Sequence, residues 1–196
     1  TAVQAAILLH DIGHGPFSHA LEEQIVDGPH EDLSLCFMEA LREEMGREMD
    51  MAIQIFKDEY EKPFLHQLVN GQLDMDRMDY LSRDSFYTGV AEGVIGYDRI
   101  IKMLNVKEGQ LVVEEKGIYS IEKFLIARRL MYWQVYLHKT VLAAEKMLVR
   151  WTEHLRKKLR QDESLPVSDR LKYFLVNDIQ MSDVEANKEL LKYYST

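Results

Sequence analysis

The sequence predicts an all-α fold with one small β-hairpin, on three observations. Breakers are sparse, with four prolines and ten glycines in 196 residues. Most segments between them repeat apolar residues at helical spacing, which predicts helices over 1–10, 17–26, 31–46, 48–57, 62–69, 73–86, 97–104, 120–160, 167–176 and 182–194. The exception is LNVKEGQLVVEEKG (104–117), where β-branched residues flank Glu108-Gly109 and predict a hairpin.

Along the chain, AAILL (5–9) gives the first helix a buried flank and leaves His10 and Asp11 at its end. Gly13 and Gly15 break that helix, and Pro16 suits the first turn of the next, which carries Ser18, His19, Glu22 and Glu23. DGPHEDLS (27–34) places His30 on a loop before the following helix. QDESLPVSD (161–169) is the best hinge, dividing a core of 1–160 from a helical extension of 161–196. The chain opens at Thr1 inside an already helical apolar stretch and stops after another, so it reads as a fragment of a longer protein. No internal repeat or low-complexity tract interrupts it.

Hydrophobic residues at 46% and charged residues at 29% are ordinary globular composition. A net charge of −9 disfavours binding of long nucleic acid through bulk electrostatics, while leaving room for a smaller anion at a local cation cluster or metal. No apolar run nears the ~18 residues needed to cross a bilayer, and no membrane partner is expected. The lone Cys36 forms no internal disulfide, and ten methionines suit a reducing compartment, so cytoplasm is the default.

Three constellations carry chemistry. HDIGHGPFSHALEE (10–23) concentrates three histidines and several acids at a helix-break-helix corner, which converges side chains from two directions. Imidazole nitrogen with carboxylate oxygen suits Fe, Mn, Zn, Co or Ni better than Ca. An isolated His-Asp pair is most simply a hydrogen-bonded core histidine beside a cap, but the density of His14 and His19 shifts the balance toward function. In QLDMDRMDYLSRDSFYTG (72–89), about 100° per residue puts Asp76, Tyr80, Arg83 and Tyr87 within a ~60° stripe. A solvated face laced with Asp-Arg pairs competes with that reading, and two tyrosines weaken it. In ARRLMYWQVYLHKT (127–140), Arg128, Tyr132, Tyr136 and Lys139 share one face, and aromatic rings interleaved with cations suit a nucleotide as well as plain helix packing does.

LLHDIGHGPFSHALE, HEDLS, QLDMDRMDYLSRDSFYTGV and YLHK, in that order over residues 1–150, resemble the HD-domain phosphohydrolases. The branch they resemble most is the deoxynucleoside triphosphate triphosphohydrolases, including the SAM-and-HD-domain protein and its bacterial relatives. The resemblance implies an HD-domain helical bundle with a small hairpin. It implies hydrolysis of deoxynucleoside triphosphates to deoxynucleoside and triphosphate, with one divalent metal ion (Mn, Fe, Zn, Mg, Co or Ni) held by His10, Asp11 and Asp76. The motif's first metal histidine would precede Thr1. His14, His19 and His30 match residues that contact the scissile phosphate or transfer protons, and Glu22 stands where the family often has aspartate, as partner of His19. Arg77, Tyr80 and Asp84, with Arg128, Tyr132, Tyr136 and Lys139, match positions for phosphate and sugar; Tyr132 stands where the eukaryotic relative has histidine. An activator nucleotide and a homo-oligomeric assembly are further partners the resemblance brings in. Two rivals stay open: another HD-type activity, on monophosphates, cyclic dinucleotides or alarmones, and a catalytically inactive nucleotide-sensing module.

Overall fold

A computed structural model describes residues 1–161, 165–187 and 189–194. It is all-α with one hairpin. In chain order the described elements are α1 (Ala2–Leu9), α2 (Glu22–Ile25), α3 (His30–Met45), α4 (Asp50–Phe56), α5 (Pro63–Val69), α6 (Met75–Thr88), α7 (Tyr97–Met103), β1 (Leu104–Lys107), β2 (Gln110–Val113), α8 (Ile118–Met131), α9 (Lys139–Gln161), α10 (Asp169–Val176), α11 (Met181–Ala186) and α12 (Glu189–Tyr194). No helix among the described residues is long and apolar enough to cross a membrane.

The expected hairpin is present: β1 and β2 pair antiparallel from Leu104 with Val113 to Lys107 with Gln110. Its turn puts Glu108 at φ 53° and Gly109 at φ 78°, the positive-φ pair of a tight hairpin turn that matches strand twist. Three predicted helices are broken. Over 17–26, Phe17 and Ser18 adopt left-handed φ of 64° and 50°, and only a short 3₁₀ turn and α2 follow; a corner re-aimed this sharply overrides local propensity. The 120–160 helix is interrupted by a π turn at Tyr132–Tyr136, closed by Leu137 N–H to Tyr132 O at 2.7 Å. The run YWQVY is rich in aromatic and β-branched residues that hold a regular helix weakly, and the wider turn re-aims the tyrosines. Over 182–194, the chain leaves the helix at Asn187, whose side chain accepts the N–H of Glu189, the first residue of α12, at 3.1 Å. In the expected hinge 161–169, residues 162–164 lie outside the described residues; beyond them Ser168 caps α10 by accepting the Leu171 N–H.

The chain divides into two compact units, 1–7 with 51–142 and 8–50 with 143–196. The first is built on α4 to α8 and the hairpin, around Met78, Leu81, Ile95, Ile100, Phe124, Ala127 and Met131. The second is built on α2, α3, most of α9 and α10 to α12, around Leu21, Val26, Leu33, Phe37, Phe174, Val184, Leu190 and Leu191. The tail helices thus supply part of the core on which the histidine-rich corner rests.

Candidate active site

His10, Asp11, His14, His19, Glu22 and His30 all fall in the second unit. With α1 ending at Leu9, the chain turns through Ile12 N–H to Leu9 O at 3.2 Å and His14 N–H to Asp11 O at 3.1 Å. Gly13 donates its N–H to the buried Ser34 Oγ of α3 at 2.9 Å. A side chain on Gly13 would strike the His30 carbonyl and the Ser34 N–H, so only glycine lets the corner press this closely on the first turn of α3. That approach stacks His14 on His30, with ring centroids 3.8 Å apart and planes 16° apart. His19 meets His14 edge-on at 4.6 Å and His30 at 5.0 Å.

Glu22 ties the set together. One carboxylate oxygen lies 2.9 Å from His19 Nδ1. The other accepts the His30 backbone N–H at 2.7 Å and lies 2.6 Å from His30 Nδ1. An ionised carboxylate only accepts, so each Nδ1 carries a proton and each Nε2 is left to act elsewhere. The sequence pointed to the His19 partnership; the bond to His30 is an addition, and it makes Glu22 the shared orienting group of two rings.

The electrostatics follow from this packing. Burial pushes the Glu22 carboxyl up, but the hydrogen bonds from His19 and from the backbone and ring of His30 outweigh it and hold it at about 2. A carboxyl held below its ordinary value of about 4.3 adds stability that is fully present above that value. The contribution is lost as pH falls from about 4.3 toward 2. Melting temperatures measured across that interval should therefore fall less steeply for Glu22→Gln than for the wild type; parallel slopes would rule the coupling out. Burial, then repulsion from His30, pushes the His14 imidazole down, which keeps that ring neutral near pH 7.

The remaining candidates fall in the first unit. Tyr80 and Tyr136 meet edge to face at 6.0 Å and Tyr132 and Tyr136 at 5.1 Å, while the Arg128 guanidinium lies 5.7 Å from the Tyr132 ring. Tyr136 Oη donates to an Asp84 carboxylate oxygen at 2.7 Å. Burial, then the Asp84 bond, pushes the Tyr136 phenol up, and burial does the same for Tyr80, so both remain hydroxyl donors. The predicted face of Arg128, Tyr132 and Tyr136 therefore forms, by way of the π turn. Lys139 comes after the break, exposed at the first residue of α9. Arg83 pairs with Asp79 on the exposed side of α6, outside the tyrosine group.

Sequence reasoning missed Asp74. Almost fully buried, it caps α6 by accepting the Arg77 N–H at 2.7 Å, accepts the Gly71 N–H at 3.0 Å, and pairs with the Arg77 guanidinium, which also donates to the Gly71 carbonyl. The signal was available, since an aspartate directly before a helical run is a capping residue. Asp76 lies in the first turn of the same helix. Ser34 carried no comparable signal.

His10 and Asp11 fit a cation. His10 Nε2 and Asp11 Oδ2 are 3.2 Å apart, the separation of two donors sharing one ion at bonds of about 2.0–2.2 Å. Nitrogen with oxygen is also the mixed set that first-row divalent ions accept.

Comparison with known proteins agrees with this chemistry. The HD domain family model matches residues 1–84 and the HD associated region model matches 95–185. The chain is similar to a crystallised phosphohydrolase from Bacteroides thetaiotaomicron, with a TM-score of 0.92 and 59% identity over 99% of this chain and 48% of that one. It is 39% identical over 154 residues to the uncharacterized protein YwfO of Bacillus subtilis (strain 168), covering 74% of this chain and 35% of that protein. It is 29% identical over 210 residues to the deoxynucleoside triphosphate triphosphohydrolase SAMHD1 homolog of Dictyostelium discoideum, covering 95% of this chain and 39% of that protein. The chain thus spans between a third and two-fifths of the length of these two curated relatives. A histidine-aspartate corner within the HD domain match, followed in chain order by the HD associated region, places the chain in the HD-domain phosphohydrolase superfamily.

Proposed function

We propose that this chain is the catalytic part of a metal-dependent nucleotide phosphohydrolase that converts deoxynucleoside triphosphates to deoxynucleoside and triphosphate. The observation that carries the reading is the Glu22 bridge, which holds His19 and His30 by their Nδ1 atoms and leaves two Nε2 atoms for a phosphate. His10 and Asp11 with Asp76 would hold the divalent ion, which when bound neutralises charge on the attacked phosphate and helps ionise the attacking water.

The chain's own residues do the rest. His14 and His30 steady the equatorial phosphate oxygens. His19 delivers its Nε2 proton to the departing 5′ oxygen, and Glu22, hydrogen-bonded at Nδ1, holds that ring in orientation. The Tyr80, Tyr132 and Tyr136 group offers ring faces to a nucleoside, the Asp84–Tyr136 pair offers an acceptor and a hydroxyl to a sugar, and Arg77, Arg128 and Lys139 offer charge to phosphates. The similarity to the triphosphohydrolase homolog supports the choice of substrate.

The test is product identification. Incubated with each deoxynucleoside triphosphate and Mn²⁺, the protein should release intact triphosphate, seen by phosphorus NMR, together with the deoxynucleoside. Pyrophosphate or monophosphate would instead assign another HD-type activity, and tight nucleotide binding with no product would assign a sensing module.

A further inference from the structure

The corner that carries His14 is held from two sides. Ser34 of α3 accepts the Gly13 N–H at 2.9 Å. From the opposite end of the sequence, Tyr194 Oη donates to the Gly13 carbonyl at 3.1 Å. Both polar atoms of the residue before His14 are thus fixed by side chains of different helices. The tyrosine ring lies on Gly15, where an added Cβ would come within 2.5 Å of Oη. It is seated by Phe37 of α3 at 6.2 Å and Phe174 of α10 at 5.7 Å. The short α12 is itself pinned by the buried Leu190 and Leu191. Burial, then the Glu22 charge, pushes the phenol up to about 12, so it is a standing donor near pH 7.

The corner needs such a clamp. Between His14 and His19 the backbone passes through two left-handed non-glycine residues, Phe17 and Ser18, a conformation that persists only when its surroundings impose it. Among the described residues 13–18, the long-range hydrogen bonds are both made at Gly13, from Ser34 and Tyr194, and they anchor the start of this stretch.

We propose that Tyr194 is a positioning residue for the catalytic corner: its hydroxyl fixes the Gly13 peptide and its ring fixes Gly15, and together they set the His14 ring against His30. This rests on the proposed hydrolase reading for its kinetic arm only. Misplacing a phosphate-contacting ring by a fraction of an ångström lowers the rate while leaving most substrate contacts in place.

The experiment uses Tyr194→Phe, which keeps the ring and removes only the hydroxyl. The His14 ring resonance, assigned by its absence from His14→Gln, is followed by ¹H–¹³C NMR together with turnover and melting temperature. The expected result is a shifted His14 resonance with those of His66 and His138 unmoved, and a kcat lowered by about three- to tenfold at nearly constant KM. The melting temperature should drop by only a few degrees, as for loss of one hydrogen bond. An unmoved His14 resonance, or equal shifts at all histidines, would overturn the proposal, as would a shifted resonance with unchanged kcat. If the wild type turns over no nucleotide, the hydrolase reading fails by itself and the resonance alone decides whether Tyr194 positions His14.

Discussion

Replacing His19 with alanine should lower kcat by about 10²- to 10⁴-fold, the usual worth of a positioned general acid. KM should change by no more than a few-fold. The split follows from how the ring is held. Its side chain is 70% exposed and its one described polar anchor is Glu22 at 2.9 Å, so it is free to face a departing oxygen. His14 and His30 stack on each other, and His30 keeps its own two bonds to the second Glu22 oxygen. Losing His19 therefore leaves the stacked His14–His30 pair, proposed to steady the phosphate, in place. The check is steady-state kinetics of His19→Ala beside Glu22→Gln, in which the amide still has an oxygen for one of the two rings and the deficit should be smaller. Equal losses in kcat and affinity for His19→Ala would mean that the ring binds rather than delivers a proton.

The candidate residues legible in the sequence were those that local geometry writes down. His10, Asp11, His14 and His19 are close in the chain around Gly13 and Gly15, so a corner could be anticipated, and helical rotation brought Arg128, Tyr132 and Tyr136 to one face. What was not legible depends on contacts with no period. The bond from Glu22 to His30 crosses an irregular stretch that returns the chain to α3. The hold of Tyr194 on Gly13 spans 181 positions, and no pattern of apolar residues announces it. The π turn at Tyr132–Tyr136 and the left-handed Phe17 and Ser18 are local departures that tertiary packing imposes against propensity. Each of these departures touches a candidate site residue or its neighbour, as expected where a sequence gives up local consistency for function.

Substituting Asp11 with asparagine should weaken retention of a first-row divalent ion by more than about 100-fold, since even outer-shell changes around metal ligands cost 10- to 100-fold. The change is nearly isosteric at a side chain that is 47% exposed, so the fold should survive it. An amide oxygen is a far poorer donor than a carboxylate to such an ion, and it brings no charge to offset the cation's. Two measurements independent of turnover check this. Metal analysis after dialysis should find near-stoichiometric ion in the wild type and little in Asp11→Asn. Added Mn²⁺ should raise the melting temperature of the wild type alone, because an ion that binds only the folded state stabilises it by about 2.7 kcal/mol at a hundred times its dissociation constant. Asp76→Asn carries the decisive comparison. If it loses metal as Asp11→Asn does, the ligand set of the proposed hydrolase is supported. If it keeps its ion, Asp76 is instead a first-turn carboxylate stabilising the start of α6, and the third ligand has to be sought elsewhere.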